Sequence, residues 1–435
     1  MASEKRLLDR NARHRLFNEK TLLLIASILA CAGFCATTVL HFTRPAHNAE
    51  FFLGVFSMIP ISVIVQTCSE DLSLRLQHHG HEVAAGLSDA IFRNCVEFVF
   101  AIVALVGHEA KVAQTALTGG ILTNTLLILG TCFFMGGFQK HTQTYPAILA
   151  RLKSTLLIIG VASLMLPTAH KLCAEEVSTQ GSGLTISRSA SVVHLVLFVS
   201  YLCFFYHTQS DEEKDEDKDK YKFVRNILIP GSTAMAVTPE IAKTSFSPEL
   251  SWQLRELSRK LREESQKQCG KTPKRPVAVN VILLCACVVV TTFVSLYVVE
   301  SLEAPHHTLG LSKSFVGLIL VPIVYGAAQH VGAAVRAGRK SATHEGTDWI
   351  IETALDSSIR ISLFILPCVV LLGWALNEPN MSLLFDSFQV ILLGIAISLV
   401  NYIMHSGSAY WLEGAMLIAL YVLMAISIWF YPNDA

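Results

Sequence analysis

Eleven apolar runs of about 20 residues recur along this chain, at roughly 21–43, 50–68, 84–106, 114–137, 147–168, 190–207, 277–299, 314–335, 350–374, 384–404 and 410–431. A helix of that length crosses the ~30 Å hydrocarbon layer, and lipid requires every backbone N–H and C=O to be paired within the chain. An all-α integral membrane protein of about 11 transmembrane helices is therefore the expected fold. Short alternating strands, the mark of a membrane barrel, are not seen. The first run is longer than a signal-peptide core and reads as a retained helix.

Lysine and arginine set the orientation, because cytosolic loops keep positive charge. With the N-terminus inside, the inner segments hold 27 of the 34 basic residues, Arg75, Lys140, Arg151 and Lys153 among them. The outer loops hold Arg44, Lys111, Lys171, Arg188 and Lys313, while Arg93 and Arg360 fall inside apolar runs. The N-terminus and central linker are thus expected in the cytosol and the C-terminus on the lumenal side. Net charge is zero and the basic residues are scattered, so the expected partner is the lipid bilayer and not nucleic acid. Cys285 and Cys287 read as packing residues rather than a metal pair. The loop "QHHGHE", with His78, His79 and His81, reads as a solvated, pH-sensitive surface rather than a zinc site, as do His306 and His307. No cofactor is expected.

Residues 208–276 interrupt the membrane pattern. The run "DEEKDEDKDK" is followed by "WQLRELSRKLREESQK", in which Trp252, Leu254, Leu257 and Leu261 share one helical face, suited to the membrane surface or to the protein's own loops. On either side of this linker the chain repeats itself. "TALTGGILTNTLLILG" and "TALDSSIRISLFILP" align without gaps, and "RNCVEFV" precedes the first as "YGAAQHV" precedes the second. The copies lie five crossings apart and so run in opposite directions, an arrangement that places a transporter's site at the midplane between repeats. Gly119, Gly120, Ser357 and Ser358 are small enough for close helix crossing.

The stretches "SEDLSLRLQHHGHEVAAGLSDAIFRNCVEFVFAIVAL" and "LTGGILTNTLLILGTCFFMGG" resemble the first conserved region of the calcium/proton exchanger (CAX) family, of the cation/Ca2+ exchanger superfamily. "FVGLILVPIVYGAAQHVGAAV", "DSSIRISLFILPCVVLLGW" and "WLEGAMLIALY" resemble its second region and last helix. The resemblance implies a sodium/calcium exchanger-like fold in an endomembrane such as the vacuole. Its parts would be a cytosolic segment (1–20), an extra transmembrane helix (21–43), exchanger repeat 1 (44–207), the cytosolic acidic and amphipathic linker (208–276) and exchanger repeat 2 (277–435).

In that family each repeat aims an Asn and a Glu at one Ca2+, and protons compete for the same acids. A hard divalent ion wants six to eight oxygens with negative charge among them. Here the first repeat keeps Asn94 and Glu97, while Gly326 and Gln329 stand where the second pair is expected and His330 is retained. Against the family pattern, Arg93 replaces a Gly, Asp89 an Asn, Glu352 and Asp356 two glycines, and Arg360 a Gln. Asp89, Arg93 and Glu97 share i, i+4, i+8 spacing, as do Glu352, Asp356 and Arg360, so each triplet is expected to form one charged helical stripe. A charge in lipid costs about 2.5–3.5 kcal/mol, so these groups must face inward and pair, Glu97 with Arg93 or Arg360. For Asp89 and Glu352, near the predicted helix ends, snorkelling to water is the alternative.

Three functions follow. The first is a CAX-like antiporter exchanging a cation, Ca2+ by the resemblance, for protons at a remodelled site that is either active or silenced. Its oxygens would come from Asn94 and Glu97 as metal ligands, with Glu70, Thr123, Asn124, Asp356, Ser357 and Ser358 in the pocket. The second is an exchanger-derived intramembrane enzyme cyclising or isomerising a small lipophilic molecule, with Glu97 or Asp356 as acid, His330 as proton shuttle and Arg360 as electrostatic clamp. The third is a non-transporting regulatory membrane protein.

Overall fold

The computed structural model describes residues 2–43, 47–78, 82–138, 142–145, 147–173, 181–210, 275–327, 329–330, 345–378 and 380–431. The amphipathic linker stretch from Trp252 to Leu261, and His79 and His81, lie outside the described residues. Among the described residues, nine helices are long and apolar enough to cross a membrane, and two shorter apolar helices, Cys95–Val106 and Lys313–Tyr325, supply the remaining crossings. The described residues of the expected runs are almost all helical, and several helices extend beyond the apolar limits. The second crossing covers His47–His78 and the sixth Gly181–Ser210, because their polar ends continue the helix into water at no cost to the apolar middle.

The first helix, Ala2–Thr43, packs on the first helix of each repeat, His47–His78 and Val277–Glu300, and those two pack on one another. Near its end, the His41 ring stacks on Tyr297 at 4.4 Å, with Nδ1 2.7 Å from Glu50 Oε1 and Nε2 3.8 Å from Glu300 Oε2. The remaining crossings form two five-helix repeats of opposite direction. Two features recur at matching positions in both.

The third crossing breaks at Asn94 (φ −104°, ψ 23°), between Glu82–Arg93 and Cys95–Val106. The eighth turns at Gly326 (φ −72°, ψ −5°), just after Val321–Tyr325. In the fourth, Ala110–Leu122 widens into a π turn at Thr123–Ile128 before Leu129–Gly137. In the ninth, Glu345–Arg360 widens at Ile361–Ile365 before Leu366–Ala375. The ungapped alignment pairs Thr123 with Ile361, the first residue of each wide turn. Such turns are rare and concentrate at functional sites.

Close crossings rely on absent side chains. A Cβ at Gly119 would fall on the Leu318 backbone, and one at Gly414 on the backbone of Gly130 and Phe134. At one end of the bundle, the strands Thr142–Thr144 and Ser408–Tyr410 pair antiparallel, Gln143 facing Ala409, and tie the loop after the fourth crossing to the loop before the eleventh.

Candidate functional site

The break at Asn94 places a buried amide where the third and ninth crossings meet. Asn94 Nδ2 donates to Glu97 Oε2 at 2.5 Å and to Ser357 Oγ at 2.8 Å. Its Oδ1 accepts from Arg360 Nε at 3.1 Å. Asn94 thus spends its amide on three partners, two of them in the opposite repeat.

Asp89 is the second hub. Arg93 Nε lies 2.9 and 3.0 Å from its two oxygens, and Arg93 Nη2 is 2.8 Å from Oδ1. From the other repeat, Arg360 Nη1 reaches Asp89 Oδ2 at 3.3 Å. Ser69 Oγ donates to Asp89 Oδ1 at 3.5 Å. Arg93 also lies 3.8 Å from Glu70, which stands at the rim with its side chain 37% exposed. One carboxylate thereby binds two guanidiniums that the sequence places 267 positions apart along the chain. In a low-dielectric interior such charges persist only when paired and hydrogen-bonded.

Two expectations are corrected. Asp89 does not snorkel; it anchors both arginines. The first triplet is not one stripe, because the helix breaks between Arg93 and Glu97, and Glu97 is held by Asn94 rather than by a guanidinium. The second triplet lies on one unbroken helix, Glu345–Arg360, where Asp356 accepts from Lys153 Nζ at 3.0 Å and from Tyr201 OH at 3.1 Å, on the fifth and sixth crossings. The backbone of Glu352 lies on the helix Glu345–Arg360, and its side chain is outside the described ones.

Lys153, counted above with the cytosolic loops, is only 1% exposed and enters the bundle to meet Asp356. Sequence reasoning missed it because a lysine six residues into an apolar run looks the same whether it snorkels outward or turns in. Tyr201, Tyr325 and Tyr421 were missed also. Tyr421 OH lies 3.0 Å from Thr123 Oγ1, and Tyr325 packs edge-on against Phe100 at 5.4 Å. Ser358 is buried with its hydroxyl on the Ala354 carbonyl of its own helix, 2.9 Å away.

The second repeat's half of the chamber is different in kind. Gln329 Oε1, His330 Nε2, Tyr325 OH, Asn124 Nδ2 and Arg360 Nη2 are buried atoms without a protein partner. Across the turn at Gly326, Gly326 N is bonded to the Pro322 carbonyl at 2.9 Å and His330 N to the Gly326 carbonyl at 2.8 Å. Gln329 lies four positions after Tyr325, beyond that turn, and Tyr325 is within electrostatic reach of Glu97. Where Ser357 and Arg360 fill the first half, the aligned residues of the fourth crossing are Gly119 and Leu122, which offer neither hydroxyl nor charge. Among the described residues, no three His, Cys, Asp or Glu side chains converge as a ready-made metal cage.

The family described as sodium/calcium exchanger protein matches residues 48–207 and 279–430. The vacuolar calcium ion transporter of Cryptococcus neoformans var. grubii is 29% identical, over 89% of this chain and 69% of its own length. The Ca(2+)/H(+) antiporter of Synechocystis sp. is 27% identical, over 95% of this chain and 98% of its own length. Among solved structures, native YfkE superposes with a TM-score of 0.69 at 22% identity, over 93% of this chain and 100% of that one. The H+/Ca2+ exchanger CAX superposes with a TM-score of 0.63 at 13% identity, over 96% and 89%. The likeness to both structures is one of fold.

Proposed function

The chain belongs to the sodium/calcium exchanger protein family, and from that premise we propose that it is a membrane antiporter exchanging a cation for protons at the midplane between its repeats. The relatives' names, a vacuolar calcium ion transporter and a Ca(2+)/H(+) antiporter, support the activity and a vacuolar type of membrane. The lysine and arginine bias supports a cytosolic N-terminus and linker.

One observation carries the reading. Of the described chamber carboxylates, Asp89 is bound by two guanidiniums, Asp356 by Lys153 and Glu70 leans on Arg93, whereas Glu97 has a neutral amide as its hydrogen-bond partner. Exchange requires an acid that a proton and a cation occupy in turn, and Glu97 is the one not already neutralised at contact distance. Asn94 orients it, and Ser357 fixes Asn94. Alternating access by rocking of one repeat against the other would have to break the Arg360–Asp89, Arg360–Asn94 and Asn94–Ser357 contacts and remake them.

The test is collapse of a pH gradient in proteoliposomes containing the full chain, on addition of each cation in turn. Glu97→Gln is expected to abolish cation-driven collapse while leaving the protein monodisperse. Exchange that survives Glu97→Gln unchanged refutes the assignment.

A further inference from the structure

Resting on the antiporter reading, we infer that Arg360 sets the cation concentration at which the site loads, by holding the Asn94 oxygen that a cation on Glu97 would need. The orientation of the Asn94 amide carries this. A guanidinium only donates hydrogen bonds, so the atom that Arg360 Nε meets at 3.1 Å is the amide oxygen, Oδ1. The amide nitrogen is thereby turned to Glu97 Oε2, 2.5 Å away, and to Ser357 Oγ at 2.8 Å. All four side chains are buried. Glu97 thus faces amide hydrogens, which satisfy a carboxylate that holds no cation and repel a cation that approaches it.

A hard cation on Glu97 takes oxygens as its other ligands, and the Asn94 amide supplies one there only by turning end for end. The Ser357 hydroxyl can donate or accept and suits either orientation; Arg360 suits one. While Arg360 stays, the turn sets the amide nitrogen against Nε, donor against donor, and leaves buried N–H groups without an acceptor, which is costly. Loading therefore competes with the Arg360–Asn94 hydrogen bond. The guanidinium has a place to go on release, since Nη1 is already 3.3 Å from Asp89 Oδ2 and Nη2 has no protein acceptor. Arg360 is thus a positioning residue, acting on the cation through Asn94.

The experiment titrates CaCl2 and, separately, NaCl against a pH gradient in dye-loaded proteoliposomes holding the full chain. Arg360→Gln is expected to lower the half-saturating concentration by about tenfold or more, the equilibrium worth of one hydrogen bond to a charged group, and to change the maximal rate less. Asp89 keeps Arg93 at 2.8 Å in that variant, so its buried carboxylate stays paired. In an Asn94→Ala background, which has no oxygen to hold, the same substitution should shift the half-saturating concentration by less than about threefold. An unchanged or raised value in Arg360→Gln, or an equal fall in both backgrounds, as plain charge repulsion predicts, overturns the inference and leaves antiport standing. Collapse by Arg360→Gln but not by wild type supports the inference and refutes antiport by the native chain. If neither collapses the gradient, antiport and the inference fall together. Arg360→Lys keeps the charge but replaces the fork by a single ammonium, which the Asp89 carboxylate draws off Asn94. Repulsion alone predicts no fall there and release of Oδ1 predicts one, so this variant decides where Arg360→Gln does not fold or Asn94→Ala carries no exchange.

Discussion

Replacing Lys153 by methionine leaves Asp356 facing the bundle interior without its cation. The ammonium is 3.0 Å from both carboxylate oxygens, and Lys153 is 1% exposed against 24% for the Asp356 side chain. Removing one partner of a fully buried pair costs about 3–5 kcal/mol, because the other charge stays behind. Here the remaining carboxylate is a quarter exposed and keeps the Tyr201 hydrogen bond at 3.1 Å, so a loss of about 2–3 kcal/mol is expected, discounted from that range. Lys153→Met combined with Asp356→Leu removes both charges, and such pairs are often replaced by apolar residues at little cost. The double variant should therefore regain most of the loss, to within about 1 kcal/mol of wild type, a coupling well above the scatter of additive mutations. Unfolding of the detergent-solubilised protein, followed by tryptophan fluorescence across a denaturant series, reads all four members of the cycle. A single variant as stable as wild type, or a double variant no better than the single, would refute the pairing and return Lys153 to the loops.

Gly119→Val is expected to abolish a monodisperse peak on size exclusion, since its side chain must enter the Leu318 backbone, whereas Gly120→Ala, which meets only the Ile361 Cδ1 tip at 3.1 Å, should be tolerated; equal behaviour of the two would contradict the close crossing. Outside the spans, the hydrogen bond from His108, with Nδ1 and Glu378 Oε2 2.9 Å apart, holds the Glu378 carboxyl below its ordinary range. A lowered folded pKa contributes stability above the unfolded value, near 4.3, that is lost as pH falls through the lowered one. His108→Ala should accordingly melt slightly earlier than wild type at pH 7, and the two curves should converge as the pH falls through the lowered Glu378 value. Identical melting at pH 7 would count against it.

The crossings were legible because lipid leaves so few solutions that apolar length alone identifies them, and the repeat was legible because both copies kept their spacing around Thr115 and Thr353. Contacts within the chamber were not. Asp89 and Arg93 are four apart and their pairing follows from helix geometry, but nothing local tells that Arg360 would join them, since that choice depends on how the repeats face one another. The break at Asn94 was hidden by helix-forming neighbours on both sides. It moved Glu97 off the stripe that spacing alone predicts. Asp356 meets a lysine 203 positions earlier that enters the bundle, and sequence distance carries no trace of that meeting.

The widened turns at Thr123–Ile128 and Ile361–Ile365 each insert one residue beyond what an α-helix allots to the same rise, so everything after them is rotated by about 100°. That offset lets one continuous rod serve two neighbours on different sides. Gly119 lies against the eighth crossing above the turn, and Gly130 against the eleventh below it. The number of residues in each turn therefore matters more to the packing than their chemistry. A single deletion in the fourth crossing's turn would spin the lower half of the rod by about 100° and swing Gly130 away from the eleventh crossing, bringing a bulkier side chain against the Gly414 backbone.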